Sequence, residues 1–506
     1  MKKRTAIIDI GSNSARLVIF EETSQYGFHL ICEQKSKVRI GEGAYSKKGY
    51  LQPIGIRRAF FTLQSFLYTI EKYQTKIIKC VATSAIRDAP NGILFTQWIK
   101  ETLSLDIKII DGNKEAFYGA LSAVNLLPIK EGITIDIGGG SSDMALIKEG
   151  KIITTYSLNL GTVRLKELFF DKYDIVIANE KAKDYILKEL SQLPKTFLSS
   201  LAIGIGGTAR TLSKAIMKKS DYPFDKLHAF SYLFKEKKTY LKNISFSSIE
   251  ELHSFKVKKN RYDTIREGSL IFYEILNAIH AKTVITSSTG VREGVFLEDF
   301  LKEENQSFPL TINPSIISII DRFKPIVTLE KKRKVKLQIA SKLYEVFHST
   351  IQDDKRYKKE LLYALTLSNI GKTLTIYNAH YHAFYIASQE LNYGFTHQEI
   401  ILISVLLRMH GKELIEKKLL KKYKSLLPPK KNLLWLSFIY TLSVFLHEAS
   451  NNSLINFYFK NNILYIDSDQ SLYLAKEAIN SLEKPIAFQI IFRDKSTLPK
   501  NKNLGI

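Results

Sequence analysis

Cysteine is scarce in this chain of 506 residues, which contains only Cys32 and Cys80. Two cysteines provide neither a disulfide framework nor a zinc cluster, and they are typical of a protein in a reducing compartment. Long apolar runs are also missing, since none approaches the roughly 20 residues that span a bilayer. The opening Met-Lys-Lys-Arg leads into a strand pattern instead of the apolar core of a signal peptide. We therefore expect a cytoplasmic protein without a membrane partner.

Acidic residues are outnumbered, because 74 lysines and arginines accompany 50 aspartates and glutamates, a formal net charge of +24. Such an excess favours a polyanionic partner, whether nucleic acid, polyphosphate or a highly charged nucleotide. A lysine-rich chain that only solvates its helices with positive charge would have the same composition. Composition alone leaves both interpretations open.

The most informative stretch is residues 133–147. Isoleucines alternate there with Thr134 and Asp136, which predicts a strand that ends in a carboxylate. Glycines, serines and a second apolar run follow, in the order of a tight hairpin. Glycine lets backbone N–H groups approach an anion, serine hydroxyls add donors, and Asp136 is placed to hold a divalent cation. The predicted phosphate-binding residues of this hairpin are Gly138, Gly139, Gly140, Ser141 and Ser142.

A second copy of the pattern lies near the N-terminus. A short apolar strand ends in Asp9, 127 residues before Asp136, and a second apolar run begins at Leu17. A repeat of this kind predicts two related half-domains that face each other across a cleft. Two opposed phosphate-binding hairpins resemble the actin, sugar-kinase and chaperone ATPase superfamily. The small polar residues of this first hairpin are Gly11, Ser12, Asn13 and Ser14.

Periodicity outlines the remaining organisation of the chain. Strand and helix patterns alternate to about residue 300, which predicts α/β layers. At residues 302–314 the pattern changes to polar residues with two prolines, so we place a domain boundary near residue 305. The following part is mostly helical until strand patterns return near the end. The expected strands are 28–33, 77–82, 107–110, 151–158, 283–286, 454–459, 463–466 and 486–492, and the expected helices include 54–73, 111–124 and 176–199.

Three further polar positions are candidates for phosphate chemistry. Arg87 follows a strand in a loop of small residues, where it can either fork onto phosphate oxygens or pair with Asp88. Glu115 begins a helix, where a carboxylate either caps the helix or acts as a base that activates water. Gly207-Thr208 opens a helix whose free N–H groups can face an anion.

Taken together, these motifs resemble the exopolyphosphatase and guanosine pentaphosphate phosphatase family. The resemblance implies two ribonuclease-H-like, actin-like ATPase half-domains at residues 1–125 and 126–304. It further implies a mainly helical region at 305–506, related to metal-dependent HD phosphohydrolases but with a degenerate HD motif. The matching segments are 9–14, 82–87, 110–116, 136–142, 206–208 and 290–294.

The same resemblance assigns roles to individual residues. Glu115 would be the catalytic base, and Asp9, Asp136 and Asp143 would surround Mg²⁺. The substrate would be inorganic polyphosphate, guanosine pentaphosphate or both, the protein would be a homodimer, and nucleic acid is not expected as a partner. The phosphate-binding set would be Gly11, Ser12, Asn13, Ser14, Arg87, Gly138, Gly139, Gly140, Ser141, Ser142, Gly207 and Thr208.

The sequence departs from the family pattern at three positions near the site. Lys114 stands where the family usually has the first of two glutamates, so Glu115 is alone. Asp111 replaces a serine, and Asp143 replaces a glutamate that is one methylene longer. The last change shortens the reach of this carboxylate toward a metal ion.

In the C-terminal region, Ser368 and Asn369 occupy the positions of the His-Asp pair of a working HD site. Neither residue replaces a strong metal ligand, so we do not expect a second metal centre. The region would instead extend a basic channel and contribute a dimer contact. The basic run Lys331–Lys336 is either a solvated helix face or part of a phosphate track. The histidines expected to be structural are His380, His382, His397 and His410.

Two other functions remain open at this stage. A small-molecule kinase of this fold would need an aspartate base in place of Glu115, and no such motif stands out. A polyanion-binding protein could keep the phosphate hairpins without turnover, with Lys114 and Asp143 as signs of a degenerate site.

Overall fold

The computed structural model describes residues 3–44, 48–323, 330–351, 357–409, 416–450 and 454–494. The chain forms two compact units. The first comprises Met1–Ser318 with Asn392–Thr396, and the second comprises Ile319–Leu391 with His397–Ile506. The predicted division at residues 125 and 305 stays a prediction.

The first sheet of the first unit has five strands in the order β3-β2-β1-β4-β5. Strands β1, β2 and β3 are antiparallel neighbours, whereas β4 and β5 run parallel to β1. The strands are β1 (Arg4–Ile10), β2 (Ala15–Glu22), β3 (Phe28–Ser36), β4 (Ile77–Ala82) and β5 (Ile107–Ile109), and the helices are α1 (Pro53–Lys72), α2 (Ser84–Arg87), α3 (Gly92–Leu103) and α4 (Gly112–Leu126).

The second sheet repeats this arrangement with six strands in the order β10-β11-β9-β6-β7-β8. Strands β6, β7 and β8 are antiparallel, β9 and β11 continue parallel to β6, and β10 is an added antiparallel edge. The strands are β6 (Gly132–Ile137), β7 (Ser142–Lys148), β8 (Lys151–Leu158), β9 (Leu201–Ile205), β10 (Ser231–Leu233) and β11 (Thr283–Thr286), and the helices are α5 (Thr162–Leu165), α6 (Ile175–Leu190), α7 (Gly206–Lys219), α8 (Phe234–Phe246), α9 (Ile265–Ala278) and α10 (Val291–Phe300).

Both faces of β1 are buried, which explains its nearly continuous apolar sequence. Ile8 and Ile10 pack into one core with Leu63 and Phe66 of α1, whereas Ile7 belongs to another core with residues of α4 and α10. Side chains alternate between the two faces of a strand, so one strand serves both cores. The carboxyl end of β1 is thereby fixed at the edge where Asp9 lies.

Helix α4 packs against α10 and against β6, β7 and β8 of the second sheet. The approach of α10 is close, because a Cβ atom at Gly294 would lie 2.1 Å from the backbone oxygen of Tyr118. Only hydrogen fits there. This contact fixes α4 against α10.

The helix predicted at residues 176–199 ends earlier, at Leu190. Pro194 explains the difference, because proline disfavours helical backbone in the residue before it and cannot continue a helix. Residues 191–200 instead form turns that lead into β9.

The second unit combines helices with a small sheet of order β12-β13-β14. Helix α11 (Pro314–Arg322) spans the division between the units. In the described part of the chain, no helix is both long and apolar enough to cross a membrane. The remaining elements are α12 (Glu330–Phe347), α13 (Lys358–Thr366), α14 (Ala379–Glu390), α15 (His397–Arg408), α16 (Lys417–Lys422), α17 (Lys430–Ala449), β12 (Ile455–Lys460), β13 (Ile463–Ser468), α18 (Tyr473–Asn480) and β14 (Gln489–Asp494).

Candidate active site

A cleft of about 140 Å³ lies between the two sheets of the first unit. Its walls are the loops after β1, β4, β6, β9 and β11 and the first turns of α4 and α7. Most of the residues predicted from the sequence line it. They are Asp9, Gly11, Ser12, Asn13, Ser14, Glu115, Asp136, Gly138, Gly139, Gly207 and Thr208.

The two predicted hairpins form and face each other. In the first, Gly11 N donates to the Ser14 carbonyl at 3.1 Å, and in the second Gly138 N donates to the Ser141 carbonyl at 2.9 Å. The loops meet closely, because a Cβ atom at Gly139 would lie 2.6 Å from Ser12 Cβ. A glycine is therefore required at the point where the hairpins meet.

Gly140, Ser141 and Ser142 lie behind the cleft wall and do not line it. Ser142 is fully buried, and its hydroxyl donates to the Leu160 carbonyl at 2.5 Å. The Ser141 hydroxyl donates to Asp143 Oδ2 at 3.1 Å. These hydroxyls hold the shape of the hairpin, and their contact with phosphate stays a prediction.

Glu115 lies at the cleft wall with its side chain 13% exposed. The capping role belongs to Asp111, whose Oδ1 accepts a hydrogen bond from Lys114 N at 2.7 Å. Glu115 therefore does not cap the helix. Its Oε2 accepts a hydrogen bond from Arg87 Nη1 at 3.2 Å. Burial, reinforced by the charge of Asp143 and opposed by Arg87, raises the pKa of Glu115 well above its usual range.

Of the two contacts foreseen for Arg87, the structure shows the ion pair with Asp88. Besides Glu115, it pairs with Asp88 at 3.4 Å, and its Nη1 also donates to the Ile110 carbonyl at 3.1 Å. These contacts fix the guanidinium at the entrance to α4. Arg87 itself does not line the cleft, and its contact with phosphate stays a prediction.

Lys114, the first departure from the family pattern, points away from the cleft. Its Nζ donates to Glu298 Oε1 of α10 at 2.5 Å and lies 4.6 Å from the ring centre of Phe117. The substitution therefore adds no positive charge beside Glu115.

Three aspartates lie on the strands that form the hairpins. Asp9 and Asp136 are the last residues but one of β1 and β6, and Asp143 is paired with Asp136 across the β6–β7 hairpin. Burial raises the pKa of Asp136 to about 6 and that of Asp143 to about 7, and it also raises the pKa of Asp9 against the opposing charges of Arg292 and Arg16.

The aspartates suit Mg²⁺ unequally. Gly206 has a φ of +75°, and a Cβ atom there would lie 2.0 Å from Asp136 Oδ1, so this carboxylate occupies space that only glycine leaves open. Asp143 accepts from Ser157 Oγ at 2.5 Å and from Ser141 Oγ, so it is held inside the protein. Among the described residues, no three His, Cys, Asp or Glu side chains form a preformed metal site. Mg²⁺ typically takes one or two carboxylates and completes its shell with water and phosphate, which fits Asp9 and Asp136.

Five basic residues that line the cleft were not predicted as site residues from the sequence: Arg16, Lys35, Arg210, Arg261 and Arg292. Arg292 lies in the matching segment 290–294 and Arg210 lies two residues after the segment 206–208, so these segments were the available signal. Arg210 donates to the carbonyls of Ser287 and Thr289 at 2.9 and 3.0 Å. Arg292 is 5% exposed and donates to Glu33 at 3.1 Å. Lys35 and Arg261 belong to no motif and reach the cleft only through the fold.

Comparison with known proteins places this architecture in a family. The sequence profile of the Ppx/GppA phosphatase family matches residues 18–303, and that of Ppx/GppA phosphatase domain III matches residues 314–483. The chain belongs to the Ppx/GppA phosphatase family. The resemblance and the fold class inferred from the sequence are thereby confirmed.

Solved structures of the Ppx/GppA family have the same fold. The family member of Aquifex aeolicus is 30% identical, with a TM-score of 0.52 over 60% of this chain and 99% of that one. An exopolyphosphatase from Cytophaga hutchinsonii is 22% identical, with a TM-score of 0.54 over 59% of this chain and 98% of that one.

A Fusobacterium nucleatum protein, a bifunctional 3-dehydroquinate synthase/phosphatase, is 33% identical to this Ppx/GppA chain over 314 residues. The match covers 58% of this chain and 46% of that protein. The chain therefore spans about half the length of this curated relative.

A buried lysine contacts Ser368, the residue predicted to stand at the histidine position of an HD site. Lys336 of α12 is 3% exposed, and its Nζ donates to Ser368 Oγ at 2.5 Å. Burial lowers the pKa of Lys336 to about 8. Lys336 is therefore not part of a solvated helix face, whereas the side chains of Lys331 and Lys332, like all of His410, lie outside the described residues.

Proposed function

We propose that this protein is a cytoplasmic, homodimeric, Mg²⁺-dependent phosphoanhydride hydrolase. It releases the terminal phosphate from inorganic polyphosphate, guanosine pentaphosphate or both. The observation that carries the proposal is Glu115, a carboxylate of raised pKa that Arg87 holds at the wall of a cleft between two phosphate-type hairpins.

The hairpins provide for binding of the terminal phosphate. Backbone N–H groups of glycine-rich turns and the free first turn of α7 at Gly207 and Thr208 are suited to phosphate oxygens. Arg16, Arg210 and Arg292 add positive charge from the cleft walls. Guanidinium groups match phosphate geometry and keep their charge, so they can offset the charge of a polyphosphate.

Glu115 accepts a proton from the water that attacks the terminal phosphorus, and the rest of the phosphate chain leaves. A carboxylate of raised pKa is a stronger base than an ordinary glutamate once it is ionised. Arg87 orients this carboxylate and limits the rise of its pKa. Asp143 has the opposite effect on the pKa. Mg²⁺ held by Asp9 and Asp136 would neutralise charge on the phosphate oxygens.

The test is phosphate release from long-chain polyphosphate and from guanosine pentaphosphate by wild type and Glu115→Gln in the presence of Mg²⁺. Loss of a general base should reduce release by about 10²–10⁴-fold. Glu131→Gln is the matched control, because Glu131 is exposed, lies outside the cleft and carries the same charge. Binding of polyanion without release, or transfer of phosphate to an added hydroxyl acceptor, would contradict the proposal.

A further inference from the structure

A second depression of about 220 Å³ continues directly from the cleft. The two share Arg16, Lys35, Arg210 and Arg261 as lining residues, so the boundary between them is itself positively charged. We call this depression the basic groove. Nothing in the catalytic mechanism accounts for it.

One wall of the basic groove is helix α7. Arg210, Lys214 and Lys218 follow each other at intervals of four residues, which places them on one face of the helix. From Arg210 to Lys218 this face extends for about 12 Å. The row begins beside the phosphate-type turn at Gly207 and leads away from it.

The facing wall is the segment before α9, with Lys256, Lys258 and Arg261. Arg261 marks the junction with the cleft, because its Nη2 would lie 3.0 Å from a Cβ atom at Gly207. Lys256 and Lys258 are exposed and continue the wall opposite Lys214 and Lys218.

The charge of the groove is uncompensated within its own lining, since no acidic residue is among the described residues that form it. Lys214 does pair with Asp225 at 3.5 Å, but the Asp225 side chain is 86% exposed. Such an exposed pair is weak and is screened by salt. At the junction, burial and the neighbouring cations lower the pKa of Lys35 to about 8.

A third depression that adjoins the cleft differs in charge. It has a volume of about 300 Å³, shares Ser12 and Asn13 with the cleft, and contains two cations and four carboxylates. Arg39, one of the two cations, already pairs with Asp263 at 3.1 Å. A polyanion that extends from the hairpins would be repelled by the carboxylates of this depression and attracted by the basic groove along α7.

We propose that the basic groove binds the phosphates of an inorganic polyphosphate chain beyond the one being cleaved, through Lys214, Lys218, Lys256 and Lys258. This inference rests on the proposed function and gives the bound chain a direction, along α7 and away from the hairpins. The lining includes neither an aromatic side chain to stack on a base nor a carboxylate to accept from ribose hydroxyls. An inorganic chain, whose every unit is an anion, fits the groove better than a nucleoside.

The test compares a groove variant with a control variant of equal charge. The groove variant carries Lys214→Gln, Lys218→Gln, Lys256→Gln and Lys258→Gln. The control carries Lys148→Gln, Lys151→Gln, Lys188→Gln and Lys195→Gln, four exposed lysines outside the cleft and the groove. KM and kcat are measured with tripolyphosphate, long-chain polyphosphate and guanosine pentaphosphate.

For the groove variant, KM for long-chain polyphosphate should rise by about tenfold or more, and the slope of log KM against log salt should fall by about 3. KM for tripolyphosphate and all kcat values should stay within about twofold of wild type, which also shows that the variant is folded. An equal loss in the control variant or an equal loss with tripolyphosphate would overturn the inference. So would a larger loss with guanosine pentaphosphate.

A binding measurement separates this inference from the proposed function. Calorimetric titration of long-chain polyphosphate into Glu115→Gln protein, with and without the four groove substitutions, requires no turnover. A loss of affinity of about tenfold with the groove substitutions supports the groove even if wild type releases no phosphate. Unchanged affinity overturns the groove even if wild type is an active hydrolase.

Discussion

The carboxylate of Glu115 lies among groups that act on its proton affinity in opposite directions. Burial and the charge of Asp143 raise its pKa, whereas Arg87, 3.2 Å away, lowers it. The pKa of a base in such a balance changes strongly when one neighbouring group is removed. The pair of Glu115 and Arg87 is therefore the place where a single substitution should change the pH dependence of the reaction.

Replacing Arg87 by methionine should move the acid limb of the kcat/KM profile to higher pH by about one unit. The sign follows from the charge: without the guanidinium, ionised Glu115 is less stable, its pKa rises, and the base forms only at higher pH. The measurement is the pH profile of phosphate release. Arg57→Met is the control, since Arg57 is an exposed arginine of α1. An acid limb at the wild-type position would show that Arg87 does not act through Glu115.

Individual site residues could be predicted from the sequence where they lie in a motif. Residues that only the fold brings to the site were harder to predict. Glu115 was a candidate from its helix start, but the choice between cap and base depended on Asp111 taking the cap. Lys114 could not be interpreted from the sequence, because its direction depends on Glu298, 184 residues away. Lys35 likewise lies in no motif and reaches the cleft from β3.

At the scale of elements, α4 connects the chemistry to the packing. Its first turn presents Glu115 to the cleft, and its body is held by α10 and the second sheet. The hairpins and most strands were predictable because their periodicity and turn residues are local signals. The edge strand β10 was not, since its three residues pair with a strand about 50 positions later and have no periodicity of their own.

Helix α10 should not tolerate an added methyl group where it contacts α4, whereas α4 should tolerate one where it faces β9 of the second sheet. Gly294→Ala should destabilise the protein by about 1–3 kcal/mol, because the new Cβ would meet the Tyr118 backbone oxygen and a backbone must move. Gly119→Ala is the matched control in α4, since its Cβ would lie 3.4 Å from Ile205 Cδ1 and alanine favours a helix by about 1 kcal/mol. Chemical unfolding followed by circular dichroism measures both. Equal midpoints for the two variants would contradict this account.

At the scale of the molecule, a repeated strand order brings carboxylates and basic residues together at one cleft. The order β3-β2-β1-β4-β5 of the first sheet recurs as β8-β7-β6-β9-β11 in the second, so the two strand ends with Asp9 and Asp136 meet at one cleft. The sequence predicted this plan because both copies keep Asp-Ile-Gly. It could not predict where the excess of 24 positive charges would gather, since the basic residues of the cleft come from β2, β3, α7, α10 and the segment before α9.

Asp9 and Asp136 are carboxylates in a cleft that is otherwise rich in basic residues. They should make phosphate binding depend on Mg²⁺ to an extent that changes with pH. Burial raises the pKa of Asp136 to about 6, so this carboxylate is charged at about pH 8 and mostly neutral at about pH 5. In Glu115→Gln protein, a chelator should weaken tripolyphosphate binding by about tenfold or more at the higher pH and much less at the lower one.

Calorimetry at both pH values measures this, with Asp136→Asn beside the exposed control Asp106→Asn. Asp136→Asn should reduce the effect of the chelator at the higher pH, because a neutral amide neither repels phosphate nor needs the cation. An effect that Asp136→Asn leaves unchanged would mean that Mg²⁺ acts on the phosphate chain alone.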